Sequence, residues 1–129
     1  EIENDVHELL ASLLPKEKMA KSNPPFWLSR AKQQLDESFS DGIRLKHLAK
    51  EADVHPVYFA RKFQQFFSLS VGSYVRKLQF RKVQNLLTTG KHSLSQIALE
   101  AGFTDQSHLT RTFVNDFKIT PANLRRMLK

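Results

Sequence analysis

The residues best suited to chemistry cluster in one short run, Asp105-Gln106-Ser107-His108-Leu109-Thr110-Arg111. Asp, Ser and His are the residue types of a nucleophilic triad, but a working triad needs side chains that converge in a pocket. Three residues within one helical turn point apart. A second chemistry fits the same run better. With Leu109 and Phe113 turned inward at helical spacing, Gln106, Ser107, Thr110 and Arg111 fall on the outer face of the first two turns. Gln pairs with adenine, Arg with guanine, and Ser or Thr with several base edges, so this face carries the groups that read a major groove. A less polar counterpart, His55-Pro56-Val57-Tyr58-Phe59-Ala60-Arg61-Lys62, presents Val57, Ala60, Arg61 and Gln64 outward. Val57 and Ala60 can touch only thymine methyls or sugars. Arg61 can reach a base or a phosphate, or pair with an acid inside its own unit. Lys46, Lys62, Lys91 and Arg125 lie near helix starts and are the candidates for phosphate contacts.

Charge supports a polyanionic partner. Of 129 residues, 20 are Lys or Arg and 13 are Asp or Glu, a net +7. Residues 1–23 carry five acids and three bases, so the remaining 106 residues carry +9. A small basic domain behind an acidic leader fits nucleic acid as partner, specifically double-stranded DNA. There is no Cys, which excludes disulfides, thiolate zinc sites and cysteine nucleophiles and fits a reducing cytoplasm, the expected location. No run approaches the roughly 18 apolar residues of a membrane span. The five His show no metal-ligand spacing with carboxylates, and no Gly-rich loop could cradle a phosphate. No metal, cofactor or enzymatic activity is expected. The chain opens on Glu1 rather than Met, as a piece of a longer protein would.

The elements that must position these residues are helical nearly throughout, since no window alternates like a strand. Ile2, Val6, Leu9, Leu10, Leu13 and Leu14 share one stripe and predict a short amphipathic helix over 2–14, followed by a polar linker to residue 23. Leu28, Ala31, Leu35 and Phe39 predict the next helix, ended by Asp41-Gly42. From there a unit repeats. Leu45, Leu48, Ala49, Glu51 and Ala52 recur 49 residues later as Leu94, Ile97, Ala98, Glu100 and Ala101. Phe59, Arg61, Phe63 and Phe67 recur 50 residues later as Leu109, Arg111, Phe113 and Phe117. Each unit reads as helix-turn-helix, the first over about 43–68 and the second over about 93–118. A longer helix, about 71–88, joins them. Its core of about 16 residues would span roughly 24 Å. Such a strut could set two recognition helices about one DNA turn apart, ~34 Å. The fold class is therefore all-α: two helix-turn-helix subdomains on a linking helix, forming one DNA-binding domain over 24–129 with a short amphipathic helix ahead of it. The competing class is a helical protein–protein interaction module that does not bind DNA. It would tolerate charge reversal at Arg111.

The run Ala98-Leu99-Glu100-Ala101-Gly102-Phe103, with Gln106-Ser107-His108-Leu109-Thr110-Arg111-Thr112-Phe113 and Thr120-Pro121, resembles the signature of the AraC/XylS family of bacterial transcription regulators. Leu48-Ala49, Pro56 with Tyr58, Arg61-Lys62-Phe63 and Tyr74 extend the resemblance to the first unit, and it covers about residues 26–129. It implies seven helices and binding to asymmetric promoter sites, often with activation through RNA polymerase. It also implies an effector-sensing or dimerisation domain, expected to lie outside this chain. By position, the family's base-reading places fall on Val57, Ala60 and Arg61 in the first unit and on Gln106, Ser107, Thr110 and Arg111 in the second. The chain departs from the pattern at four places. Ser68 and Lys118 stand where the family ends its recognition helices with Gly, Gln79 stands for an Arg in the linking helix, and His55 stands for Ser or Asn at a helix start.

Overall fold

The computed structural model describes residues 23–128. The amphipathic stretch 2–14 expected from the sequence lies outside them. Seven α-helices and one 3₁₀ turn are found among the described residues. Pro25, at φ −55°, leads into α1, Phe26–Ser38, which buries Leu28, Ala31 and Leu35 on one stripe. A 3₁₀ turn, Phe39–Asp41, tightens its end, and Gly42 closes it at φ 80°. Then come α2 (Leu45–Glu51), α3 (Pro56–Phe67), α4 (Val71–Thr89), α5 (Leu94–Glu100), α6 (Gln106–Phe117) and α7 (Pro121–Leu128).

The apolar residues divide into two clusters. The first joins Leu28, Ala31 and Leu35 of α1 to Leu48 and Ala49 of α2, Phe59 and Phe63 of α3, and Val71 at the start of α4. The second joins Val83 and Leu87, late in α4, to Ile97, Ala98, Ala101, Phe103, Leu109 and Phe113. Helix α4 thus belongs to both. At 19 residues it is longer than the sequence suggested, or roughly 28 Å at 1.5 Å per residue. Alanines at 49 and 98 are fully buried in equivalent places, where only a small side chain lets the second helix of each unit cross closely over the first. Phe rings fill the remaining space. Phe63 meets Phe67 and Tyr74 edge-on, and Phe80 meets Phe113 and Phe117 edge-on. These are favoured ring geometries.

Polar contacts lock α4 to its neighbours. The Tyr74 hydroxyl donates to Asp36 of α1, and Lys32 lies 3.7 Å from the same carboxylate and over the Tyr74 ring. Burial, then the Asp36 contact, raises the Tyr74 pKa, and the hydrogen bond to Tyr74 raises that of Lys32. Both shifts favour the protonated forms of Tyr74 and Lys32, so their part of this contact is present at neutral pH and is lost as the solution becomes strongly alkaline. Two residues further along α4, Arg76 pairs with Asp116 of α6 at 3.3 Å.

The repeat extends to backbone detail. In each unit the turn closes with a bond from the residue after the turn to an alanine carbonyl, Val54 to Ala49 at 3.0 Å and Phe103 to Ala98 at 2.8 Å. The residue just before takes a left-handed conformation, Asp53 at φ 59° and Gly102 at φ 93°. The glycine does more than turn. A Cβ on Gly102 would lie 2.8 Å from Cα of Ser40 and 3.3 Å from Nε2 of Gln79. The second turn therefore packs directly on the 3₁₀ turn that ends α1. At Gly90, φ 71°, an added Cβ would meet nothing within 4 Å. Gly90→Ala should cost about 1 kcal/mol for its backbone conformation alone. Gly102→Ala should cost clearly more, because steric overlap adds to the same strain. Urea unfolding of the two variants checks this, and a smaller loss for Gly102→Ala would contradict the packing described.

Candidate nucleic-acid interface

Helices α3 and α6 are the second helices of the two units, and their outer faces carry the expected residues. In α6, Gln106, Ser107 and Arg111 are exposed and Thr110 is half-buried, opposite the buried Leu109 and Phe113. In α3, Val57 is 58% exposed, Arg61 and Gln64 are exposed, and Ala60 is half-buried, opposite Phe59 and Phe63. Arg61 has no ion-pair partner among the described residues, so the option that it pairs inside its own unit is not realised. Lys46 and Lys91 are exposed. Lys62 is half-buried, with its ammonium 5.6 Å from the Tyr58 ring centre.

Arg125 is placed differently from expectation. Its Nη2 donates to the carbonyl of His92 at 2.6 Å, and its Nε is buried without a partner. His92 in turn lies 3.6 Å from the Glu100 carboxylate. The Arg125 guanidinium ties α7 to the α4–α5 loop through this carbonyl. Its spacing looked like that of a surface cation because the partner is a backbone carbonyl 33 residues away, which no local pattern reveals.

The starts of α3 and α6 are closed by side chains. His55 Nδ1 accepts the N–H of Val57 at 3.1 Å, so the departure at this position keeps a cap. Asp105 Oδ1 accepts the N–H of His108 at 2.8 Å, and His108 Nδ1 accepts the N–H of Thr104 at 3.2 Å. Asp105 and His108 thus serve the helix start, and Ser107 beside them is exposed. The three do not converge as a triad would. Ends are also provided for. Ser68 and Lys118, where the family places Gly, take up the left-handed conformation at φ 67° and 60°. The departures change the residue type and leave the geometry intact, at the strain cost of a side chain in that region. A further contact joins α5 to the start of α6. Ser95 Oγ of α5 donates to Gln106 Oε1 at 3.0 Å. Ser95 carried no signal of its own, since a serine on the exposed side of a short helix is ordinary.

A helix-turn-helix domain model of the AraC type matches residues 48–127, more than half of the chain. The chain belongs to the AraC/XylS family of transcription regulators. It is a DNA-binding domain of that family. It is 23% identical to the Msm operon regulatory protein of Streptococcus mutans, over 97% of this chain and 47% of that protein. It is 24% identical to the regulatory protein PocR of Salmonella typhimurium, over 78% of this chain and 33% of that protein. The chain therefore spans half or less of the length of these relatives. With the probable transcription factor PqrA of Proteus vulgaris it shares 31% identity, over 67% of this chain and 70% of that protein. Among solved structures it resembles the C-terminal domain of AraT, a response regulator from Geobacillus stearothermophilus, with a TM-score of 0.76 and 25% identity over 82% of this chain and 88% of that one. The DNA-binding domain of AdpA, solved with a target DNA, shares the fold at a TM-score of 0.72 and 22% identity, over 82% of this chain and 93% of that one. No described helix is long and apolar enough to cross a membrane.

If the Asp105 carboxylate holds the start of α6, Asp105→Ala should lower stability by about 1 kcal/mol and Asp105→Asn by less. Thermal melts of the two variants check this. Equal stability of Asp105→Ala and the parent would show that the cap contributes nothing.

Proposed function

We propose that this AraC/XylS domain binds an asymmetric promoter site with α3 and α6 in successive major-groove segments. The observation that carries this is the polar outer face on the first turns of α6, with Arg111 matched 50 residues earlier by Arg61 on the less polar outer face of α3, and with both helices packed on the two ends of α4. In this reading Gln106, Ser107, Thr110 and Arg111 contact base edges, and Arg61 reaches a base or a phosphate. Val57 and Ala60 touch thymine methyls or sugars. The second unit then discriminates more strongly than the first, and that difference makes the site asymmetric. Lys46, Lys62 and Lys91 contact phosphates, which fixes register without reading sequence. Arg125 supports the interface indirectly through His92.

A 19-residue strut of roughly 28 Å is somewhat short of the ~34 Å between groove segments on one face. Simultaneous docking then asks the duplex to bend toward the protein, at a cost of order 1–6 kcal/mol that depends on its sequence. A regulator of bacterial promoters acts in the cytoplasm. We propose further, from the family resemblance, that the whole protein carries an effector-sensing or dimerisation domain and contacts RNA polymerase at the promoter.

Arg111→Ala should weaken binding to the preferred site by roughly 1–3 kcal/mol and relax preference at one base pair. Lys91→Ala should weaken binding to all sequences alike and lower the salt slope by about 1. Titrations of specific and scrambled duplexes at several salt concentrations separate the two. Unchanged preference in Arg111→Ala would contradict base reading by Arg111, and tolerance of Arg111→Glu would favour the interaction-module reading over DNA binding.

A further inference from the structure

The contact between Ser95 and Gln106 is not explained by helix formation. Helix α5 starts without Ser95, because Ser93 Oγ accepts the N–H of Gln96 and Gln96 Oε1 accepts the N–H of Ser93. Helix α6 starts without the Gln106 side chain, because Asp105 supplies its cap. Both Ser95 and Gln106 are exposed, and each could be satisfied by water. They are nonetheless joined across the turn at 3.0 Å. We propose that Ser95 is a positioning residue that sets the Gln106 amide, and through it the base preference of the second recognition helix. This rests on the reading of Gln106 as a base-contacting residue.

The physical case is one of placement, since the amide must already stand at the groove face when the base arrives. A glutamine amide on an exposed helix turn rotates freely, and a half-turn exchanges its oxygen and nitrogen. A bidentate contact to adenine needs both in a fixed order, the oxygen on the N6 amino group and the nitrogen on N7. The Ser95 hydroxyl donates to Oε1 here and could accept from Nε2 after that half-turn, so it holds the amide in place over the turn in either order. The oxygen keeps a second lone pair, and Nε2 keeps both of its hydrogens. The amide can then meet the base without first being ordered, and the ordering cost that a flexible side chain would bear on binding falls. The first unit has no counterpart. Lys46 lies 49 residues before Ser95, and Pro56, with no polar side-chain atom, lies 50 before Gln106. The device belongs to the more polar of the two reading faces alone.

The test uses the whole 129-residue chain. Selection from a randomised duplex library first supplies a site. The base pair read by Gln106 is then the one whose preference Gln106→Ala removes. Affinities are measured for four duplexes that differ only at that pair, with the parent, Ser95→Ala, Ser95→Thr and the double variant Ser95→Ala/Gln106→Ala. Losing one neutral hydrogen bond should reduce the adenine preference in Ser95→Ala by about 3–10-fold. Ser95→Thr should keep the preference, and Ser95→Ala should add nothing once Gln106 is gone. A Ser95→Ala loss that is equal for all four duplexes, or that persists in the Gln106→Ala background, would overturn the proposal and make Ser95 a phosphate contact. So would an unchanged preference in Ser95→Ala. If instead Gln106→Ala alters no base preference at all, base reading by Gln106 fails, and this inference falls with it.

Discussion

The arrangement of the domain depends on one helix being buried at both ends. Helix α4 contributes Val71 to the first apolar cluster and Val83 with Leu87 to the second. A helix is stiff over such a length, so burying its two ends fixes the separation of the two units. Their relative rotation is fixed by smaller contacts. Tyr74 with Asp36 ties the start of α4 to α1, and Arg76 with Asp116 ties its middle to α6. The backbone of Ser40 packs 2.8 Å from where a Cβ of Gly102 would be. Without these contacts the two recognition helices would share a strut but not an orientation.

The same division holds inside each unit. Burial of Phe59 and Phe63 in one unit, and of Leu109 and Phe113 in the other, leaves the opposite faces of α3 and α6 to water or to a ligand. The caps at His55 and Asp105 then decide where each helix begins, and so which side chains project from its first turn. A carboxylate at the start of α6 also offsets the attraction of that helix terminus for a phosphate. Side chains along the face, rather than the helix start, are left to make contact there.

Much of this was legible in the sequence. The repeat of Leu48, Ala49, Phe59 and Phe63 as Ile97, Ala98, Leu109 and Phe113 marks burial directly, and all eight are buried. The outward placement of Gln106, Ser107 and Arg111 follows from helical period alone. What the sequence hid has a common physical origin. The left-handed conformation of Asp53 carries no glycine to announce it, and at Ser68 and Lys118 the family pattern alone marks the place. The His55 cap uses an unusual acceptor. Arg125 with His92, Ser95 with Gln106 and Gly102 with Ser40 are contacts between segments, set by tertiary packing. Local pattern reports which face is buried. It does not report which polar group meets which across a turn.

The central claim is that two reading faces, held at fixed separation, engage one duplex together. Hydroxyl-radical footprinting of the chain on a duplex obtained by selection tests it most directly. The structure predicts two protected tracts on one face of the duplex, centred about 10 base pairs apart, with the tract under the second unit the more sensitive to base changes. A single protected tract would contradict it, and would mean that only one of the two units engages DNA.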